Sequence, residues 1–138
     1  MPQALTRLTL DTHGQGFYEM TRPIADWVAQ QHPRVALLTV FCRHTSASLL
    51  IQENADPTVR EDLSRFLAAL APEDGRYEHS DEGPDDMPAH LRSMVTQTSL
   101  TIPVEHGRPL LGTWQGIYLA EHRRRPHRRE VVLHLLAE

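Results

Sequence analysis

The alternation of apolar and polar positions predicts strands and helices in an irregular order along the chain. Runs of period two, or continuously apolar runs rich in β-branched residues, indicate strands at residues 4–10, 35–42, 48–52, 98–104, 110–121 and 130–136. The segment 35–42 is almost continuously apolar and rich in β-forming residues, which predicts a buried strand. A turn at residues 105–108, with Gly107 at a positive φ, joins two of these strands as a hairpin.

Helical periodicity and end signals predict three helices. The first begins with Thr21 as its N-cap and ends before Pro33, and the second begins with Asp56 as its N-cap and Pro57 as its first residue. The second helix ends at Pro72, and its apolar stripe comprises Val59, Leu63, Phe66, Leu67 and Leu70. A short third helix is predicted from Met87 to Val95, with Met87, Leu91, Met94 and Val95 facing inward.

The order of these elements predicts the fold class. Strands and helices are interspersed without regular βαβ alternation, and hairpins dominate the second half. We therefore expect an α+β fold with one mixed or mainly antiparallel sheet and two to three helices. At 138 residues, the chain is most simply one domain spanning residues 1–138.

Composition excludes several kinds of chemistry and localisation. The chain has no lysine, so a lysine Schiff base and a Walker-type phosphate loop are excluded. Cys42 is the single cysteine, which excludes an internal disulfide and a cluster of zinc thiolates, and its apolar strand predicts a core position. No apolar run approaches the roughly 20 residues of a membrane span, and no signal peptide is visible. We expect a cytoplasmic protein that binds no membrane.

Charge is unevenly distributed along the chain. The net charge of −4 argues against a nucleic-acid partner, although residues 123–129 are strongly basic. Two interpretations of this basic run are a solvated loop between two strands, which we favour, and a grip on a polyanion.

The segment 79–90 concentrates imidazole and carboxylate groups before the third helix. Helix capping explains one of Asp85 and Asp86, but it does not explain both together with Glu82. His79 and His90 flank these carboxylates, and His44 follows a buried strand, so the three histidines can form a metal site with an open position, for which zinc is the favoured ion. The alternatives are a core position for His90 and, for His44, hydrogen bonds to the adjoining loop.

Other polar residues lie where strands end. Ser46 and Ser48 follow His44 and offer hydroxyls to an oxyanion, whereas a serine hydrolase triad has no supporting Gly-x-Ser-x-Gly motif. Asn54 lies between a strand and a helix, without an obvious structural role. The glycines of residues 112–116 indicate a bulge or a close approach beside Gln115, and Glu121 ends the same strand.

Five ordered motifs resemble the YjbQ family, also called UPF0047 or the secondary thiamine-phosphate synthase family. They are His44-Thr-Ser-Ala-Ser48, Glu53-Asn-Ala-Asp-Pro57, Glu82-Gly-Pro-Asp-Asp-Met-Pro-Ala-His90, Thr98-Ser-Leu-Thr-Ile-Pro103 and Gly112-Thr-Trp-Gln-Gly116. The resemblance implies a homotrimer with a polar, metal-binding site at subunit boundaries. Carried over by position, it implies His44, His79 and His90 as metal ligands, Glu82, Asp86 and Glu121 as catalytic residues, and Ser46, Ser48, Asn54 and Gln115 as substrate-binding residues.

Three functions fit these residues. The first is weak thiamine-phosphate synthase activity, in which hydroxymethylpyrimidine diphosphate and thiazole phosphate are joined and pyrophosphate is released. The second is a metal-dependent hydrolase with Glu82 or Asp86 as general base. The third is a trimer that binds a metal or ligand without catalysis, which predicts four protein ligands and no open position.

Overall fold

The computed structural model describes residues 2–138, which form two antiparallel sheets and three helices. The strands are β1 (Gln3–Thr12), β2 (Gly16–Glu19), β3 (Val35–Cys42), β4 (Ala47–Glu53), β5 (Ser99–Glu105), β6 (Arg108–Pro109), β7 (Gln115–Glu121) and β8 (His127–Ala137). The helices are α1 (Thr21–Gln30), α2 (Pro57–Leu70) and α3 (Asp86–Val95). The α+β class is confirmed, and every strand pairing is antiparallel.

The strands divide between two sheets, a detail that the predicted fold class did not include. The larger sheet has the order β1-β8-β3-β5-β6 and the smaller one the order β2-β7-β4. Strand β2 carries no clear alternation and was not predicted, and the predicted strand 110–121 is shortened to β7 because residues 110–114 form the loop that follows β6.

The core lies between the inner face of the larger sheet and the smaller sheet, and α1 closes one side. Leu38 and Val40 of β3 face Leu49 of β4 and Ile117 of β7 in this core, while Ile24 of α1 is fully buried beside them. When two sheets pack face to face, the inner face of each is buried. Strands in which apolar and polar residues alternate are therefore sufficient to form the core. Cys42 also lies in the core, as predicted, and burial raises the pKa of its thiol to about 11.

One face of β3 is exposed, so the predicted burial of this strand holds only for its inward-facing residues. Its burial alternates, so that Leu38 and Val40 are buried while Leu37 and Phe41 are 43% and 46% exposed. Phe41 pairs with Val132 and Leu37 with Leu136 on β8, so an apolar strip, interrupted by the pair Thr39–His134, crosses the outer face of the larger sheet. Exposed apolar patches, when large, mark protein interaction sites.

Two helix starts test the end signals. Asp56 caps α2 as predicted, since its carboxylate accepts from the Thr58 N–H and Pro57 is the first helical residue. Thr21 is instead the first residue of α1, where its hydroxyl donates to Glu19 and accepts the N–H of Ile117 on β7. Thr21 therefore joins α1 to the smaller sheet rather than capping the helix.

The predicted inward face of α3 is wrong. Met94 and Val95 are 74% and 49% exposed, and the buried residues of this helix include Asp86 and Arg92. On α2, Leu67 is buried but Phe66 and Leu70 are more than half exposed. Among residues 2–138, no helix is long and apolar enough to cross a membrane.

Candidate metal site and its surroundings

The carboxylate of Asp86 is the centre of a cluster with two imidazoles. Its Oδ2 lies 2.6 Å from His79 Nε2 and 3.2 Å from His90 Nε2. The three candidate ligand atoms all lie within 4.8 Å of one another. Asp86 is only 2% exposed, whereas the side chains of His79 and His90 are 44% and 33% exposed. A buried carboxylate thus holds two imidazoles that solvent can reach.

The helix and the loop before it bring these groups together. Asp86 and His90 are four residues apart on α3, so both side chains lie on the same helix face. The loop reverses at Gly83, whose φ of +103° favours glycine, and the Asp86 N–H donates to the Gly83 carbonyl. This turn places His79, from the far side of the loop, against the first turn of α3.

The hydrogen bond of His90 to Thr45 determines which nitrogen faces Asp86. His90 Nδ1 lies 3.0 Å from the Thr45 carbonyl oxygen, which can only accept, so Nδ1 carries the proton. A neutral His90 therefore presents the lone pair of Nε2 to an Asp86 oxygen that is also an acceptor. A cation between them, either a proton on Nε2 or a metal ion, removes this conflict. A histidine whose second nitrogen donates to a carbonyl is also the usual arrangement of a metal ligand.

Arg123 neutralises the side of the carboxylates that faces away from the imidazoles. Its guanidinium donates to Asp86 Oδ1 at 2.7 Å, to Asp85 Oδ2 at 3.0 Å and to the Glu82 carbonyl at 2.9 Å. Burial acts to raise the pKa of Asp86, but the hydrogen bond with His79 and the charge of Arg123 outweigh it, and the pKa is lowered. The pKa of Asp85 is also lowered, because bonds from the Arg124 N–H and Arg123 outweigh its burial. Asp86 is thus ionised at neutral pH.

The capping explanation of Asp85 and Asp86 is wrong. Asp85 is the N-cap residue of α3, but its side chain makes no cap hydrogen bond and is held by Arg123 and Arg124 instead. Glu82 lies on the same turn, with an exposed side chain close enough to Asp86 to influence its pKa. Glu82, Asp85 and Asp86 therefore surround one arginine and one pair of histidines.

His44 is not part of this cluster within one chain. Its Nε2 accepts the backbone N–H of Glu130 at 2.8 Å, which agrees with the alternative that the histidine ends its strand by hydrogen bonding. Desolvation by burial lowers the pKa of His44. The residue instead lines an open groove of about 640 Å³ together with Arg43, Thr45 and Ser46. The groove adjoins the cluster through Thr45, whose carbonyl accepts from His90.

Glu121 and Ser48 lie in buried polar networks. Glu121 is 2% exposed and accepts from Arg129 Nη2 at 2.5 Å and from the Thr12 hydroxyl at 2.6 Å. These hydrogen bonds outweigh burial and lower its pKa. Ser48 is fully buried, with its Oγ 2.9 Å from His122 Nε2. Neither side chain reaches the surface in the described chain, and Ser46 joins the first network by accepting from Arg129.

Asn54 and Gln115 lie at the opposite end of the smaller sheet. In the β4–β7 pairing, Ala47 faces Glu121 and Glu53 faces Gln115, so six residues, roughly 20 Å, separate the two ends. There, Asn54 donates to Glu19 and Gln115 accepts the Gly112 N–H. The predicted close approach is present at Gly116, where a Cβ would lie 2.8 Å from a Glu19 carboxylate oxygen and 3.0 Å from Asn54.

The basic segment 123–129 is not simply a solvated loop. Arg123 and Arg129 are 7% and 4% exposed and form ion pairs with carboxylates, whereas Arg124 and Arg125 are exposed. The sequence showed no signal that separated these two arginines from their neighbours, because their partners lie on other elements. Arg123, which orders the cluster, was therefore missed.

Comparison with known proteins gives a consistent result. The family described as UPF0047 protein YjbQ-like matches residues 6–138. A UPF0047 protein from Synechocystis sp. is 54% identical over 95% of this chain and 90% of its own length. The UPF0047 protein YjbQ of Escherichia coli is 47% identical over 95% of this chain and 96% of its own.

Solved structures agree over the same length. A conserved protein of the YjbQ/UPF0047 family from Clostridium acetobutylicum has a TM-score of 0.86 and 34% identity, covering 93% of this chain and 97% of its own. A conserved protein from Thermus thermophilus has a TM-score of 0.85 and 38% identity, covering 95% and 99%. The family match over residues 6–138 includes the loop that carries His79.

Proposed function

Because the chain belongs to the UPF0047 YjbQ-like family, we propose that its cluster of His79, Asp86 and His90 holds a divalent metal ion in an enzyme that acts on a small phosphorylated molecule. The observation that carries this proposal is the geometry around Asp86 Oδ2, where two imidazole nitrogens converge on one buried carboxylate oxygen. The orientation of His90 by the Thr45 carbonyl leaves Nε2 as the nitrogen that binds the metal.

The chemistry of the donor set favours zinc. Two imidazoles and a carboxylate are a common zinc ligand set, and in catalytic sites a fourth position remains open for substrate or water. The two partly exposed imidazoles lie between buried Asp86 and solvent, so an open position would face outward. Of the two carboxylate oxygens of Asp86, Arg123 donates only to Oδ1, so Oδ2 remains available to a metal ion.

The proposed reaction is the transfer that joins hydroxymethylpyrimidine diphosphate to thiazole phosphate and releases pyrophosphate. A bound divalent cation would neutralise diphosphate charge and assist departure of the leaving group. The groove beside His44 supports this proposal, because Thr45 and Ser46 offer hydroxyls. Arg43, 53% exposed, pairs with Glu130 at 2.6 Å through Nη1, and its other N–H groups remain for a ligand. Each can donate hydrogen bonds to phosphate oxygens.

The second candidate is metal-assisted hydrolysis of a small molecule. Its support is Glu82, an exposed carboxylate beside Asp86 whose backbone carbonyl accepts a hydrogen bond from Arg123. An exposed carboxylate at this position can accept a proton from an attacking water, as a general base does. The transferase does not require this group, so Glu82→Gln separates the two candidates.

We also propose that the protein assembles as a homotrimer through the outer face of the larger sheet. Leu5, Leu37 and Phe41 are 43–58% exposed on that face. A second copy would cover this apolar strip and could bring the distant Asn54 and Gln115 of one chain towards the histidines of another. Light scattering should give three times the monomer mass for the wild type and a lower mass for Phe41→Glu. A monomeric wild type would refute the trimer.

Metal analysis of purified protein tests the site directly. The wild type should retain about one zinc per chain, and His79→Ala or His90→Ala should lose it. The control His13→Ala removes an exposed histidine that follows β1, outside the cluster, and should retain the metal. Equal metal content in all four proteins would refute this site. If Asp86→Ala retained zinc while His79→Ala and His90→Ala lost it, the carboxylate would not be a ligand.

An assay with the two purified substrates tests the reaction. We expect pyrophosphate release that depends on added zinc in the wild type and is lost in His90→Ala. Activity of His90→Ala at the wild-type rate would reject this cluster as its source. Metal binding without turnover of either substrate would instead favour the hydrolase or a non-catalytic role.

A further inference from the structure

The side of α3 opposite His90 carries a buried arginine with an incomplete set of partners. Arg92 is 6% exposed, and its Nη2 donates to the Ala71 carbonyl at 3.0 Å. Its Nε is buried and has no hydrogen-bond acceptor among residues 2–138. The same residues provide no carboxylate within ion-pair distance of Arg92. Arg123 and Arg129, the other two buried arginines of this part of the chain, each pair with a carboxylate.

The nearby acidic groups are already occupied by other partners. Glu73 has Oε1 2.6 Å from Arg124, as an ion pair without hydrogen-bond geometry, and Oε2 3.1 Å from Gln15. Its charge acts on Arg92 from beyond ion-pair distance and only partly offsets the burial that lowers the pKa of Arg92. Glu121 accepts from Arg129, Thr12 and the Arg123 N–H. Removing a cation from water is costly unless an anion compensates for it. The fold alone therefore leaves the charge of Arg92 without an adjacent counter-ion.

A cavity beside Arg92 has room for such an anion. Its volume is about 210 Å³, and buried Arg92, Glu121 and His122 form part of its lining. Exposed Gln15 and Ser64 lie at its mouth and connect it with solvent. Ligand pockets for drug-sized molecules are usually larger, about 300 Å³ and above, so this cavity suits a ligand of only a few heavy atoms.

The remaining lining indicates the class of anion. Phe17, Leu67 and Ala68 form an apolar wall, whereas Ser64 adds a hydroxyl to the guanidinium of Arg92. His122 contributes no charge, because burial lowers its pKa to about 4. The carboxylate of Glu121, also in the lining, is compensated by Arg129. One remaining cation beside an apolar wall suits a monoanion with a short hydrocarbon part. A phosphate dianion would require more donors than this lining offers, whereas the planar guanidinium matches a carboxylate.

We propose that the cavity lined by Arg92, Ser64 and Phe17 binds a small organic carboxylate, with Arg92 as its counter-ion. This site is separate from the metal cluster, since Arg92 lies on the α2-facing side of α3 and His90 on the other. Residues 121–123 run between the two sites. His122 lines the cavity, and Arg123 donates a hydrogen bond to Asp86.

Titration with sodium propionate, followed by amide shifts of Gly16 and His122, tests the proposal. We expect saturable binding in the wild type and binding at least roughly tenfold weaker in Arg92→Met, since a hydrogen bond to a charged group is lost. Arg92→Lys keeps the charge but loses the planar fork, and should bind with intermediate affinity. The control Arg125→Met changes an exposed arginine and should bind like the wild type.

A second variant does not depend on the folding of Arg92→Met. Ala68→Trp places a large side chain at the exposed mouth of the cavity and should block propionate while Arg92 remains. His90→Ala should bind propionate normally even where it loses metal. Absence of saturable propionate binding in the wild type, or equal binding in Arg92→Met or Ala68→Trp, would overturn the proposal. Binding of phosphate in preference to propionate would overturn the carboxylate assignment.

Discussion

The two sides of α3 handle buried charge in opposite ways. On one side, Arg123 satisfies Asp85 and Asp86, and two histidines complete the cluster. On the other, Arg92 donates to a single carbonyl and faces a cavity beside His122, which burial keeps neutral. Paired buried charges fix a geometry, whereas an unpaired buried charge leaves an interaction for a ligand to make.

This contrast explains why α3 lacks an apolar inward face. Its buried positions include Asp86, Arg92 and Ser93, so polar contacts rather than apolar burial set its orientation. The Ser93 hydroxyl lies 3.5 Å from the Ala47 carbonyl, which ties the helix to the first residue of β4. Both proposed sites therefore rest on one short helix, and changes on each side should have different consequences.

The largest effect is expected from Arg123→Met. This variant leaves the buried carboxylates of Asp85 and Asp86 without their cation, and breaking a buried pair in this way costs about 3–5 kcal/mol. Urea denaturation should show that loss in the free energy of unfolding. The exposed neighbour is a matched control, and Arg125→Met should change stability by less than about 0.5 kcal/mol. Equal stability of the two variants would remove the distinction between paired and solvated arginines in this loop.

The second prediction concerns pH on the Arg92 side. Burial lowers the pKa of His122 from 6.5 to about 4, so between these values the unfolded chain binds more protons than the folded one. Stability should therefore fall as the pH drops from 6.5 towards 4, by up to about 3 kcal/mol from this residue. Urea titrations at several pH values measure the slope. His122→Gln keeps a hydrogen-bonding group but cannot titrate, so the contribution of His122 to the pH dependence of stability should disappear. An unchanged slope of stability against pH in this variant would show that His122 is not its source.

On the side of α3 that carries the histidine cluster, stability depends on pH in a lower range. The folded-state pKa values of Asp85 and Asp86 lie below the usual 3.8, so their contribution is complete above that value and is lost as the pH falls through the lowered pKa. Because this range lies below that of His122, the two sides of α3 can be separated by pH. His122→Gln should leave the lower range unchanged.

Local signals predicted much of the fold. Asp56-Pro57 marked the start of α2 because a cap and its proline act within one turn. The strands β3, β5 and β8 were visible in their apolar runs, although β2 was too short to show a period. Division into two sheets could not be predicted, since strand pairing depends on contacts between distant residues.

In the candidate site, too, residues close in sequence were predictable and contacts between distant residues were not. His79, Asp86 and His90 lie within twelve residues, and the concentration of imidazoles and carboxylates indicated this segment. The predicted third ligand was His44, with Asp86 as a catalytic residue, whereas the structure places Asp86 between the two histidines and His44 outside the cluster. Arg123 is 37 residues from Asp86 and was not expected. Arg92 was missed for a different reason, because its importance comes from partners that it lacks.

A third prediction measures metal binding as stability. Zinc at about 100 times its dissociation constant should raise the free energy of unfolding by about 2.7 kcal/mol if it binds only the folded protein. Thermal unfolding with and without zinc provides the measurement. His79→Ala should lose the increase and Arg92→Met should keep it, because only the first residue belongs to the cluster. Loss of the increase in both variants would show that the two sides of α3 are not independent.

The smallest effect is expected from Arg92→Met in the absence of any carboxylate. The variant loses the hydrogen bond to the Ala71 carbonyl, which costs about 1–3 kcal/mol, but it also removes an uncompensated buried cation. These effects oppose each other, so the free energy of unfolding should change by no more than about 1 kcal/mol. Urea denaturation of Arg92→Met and Arg123→Met compares the free energy of unfolding after the same replacement at the two positions. A loss as large as that of Arg123→Met would mean that the fold already compensates the charge of Arg92, and the cavity would then have no need of an anion.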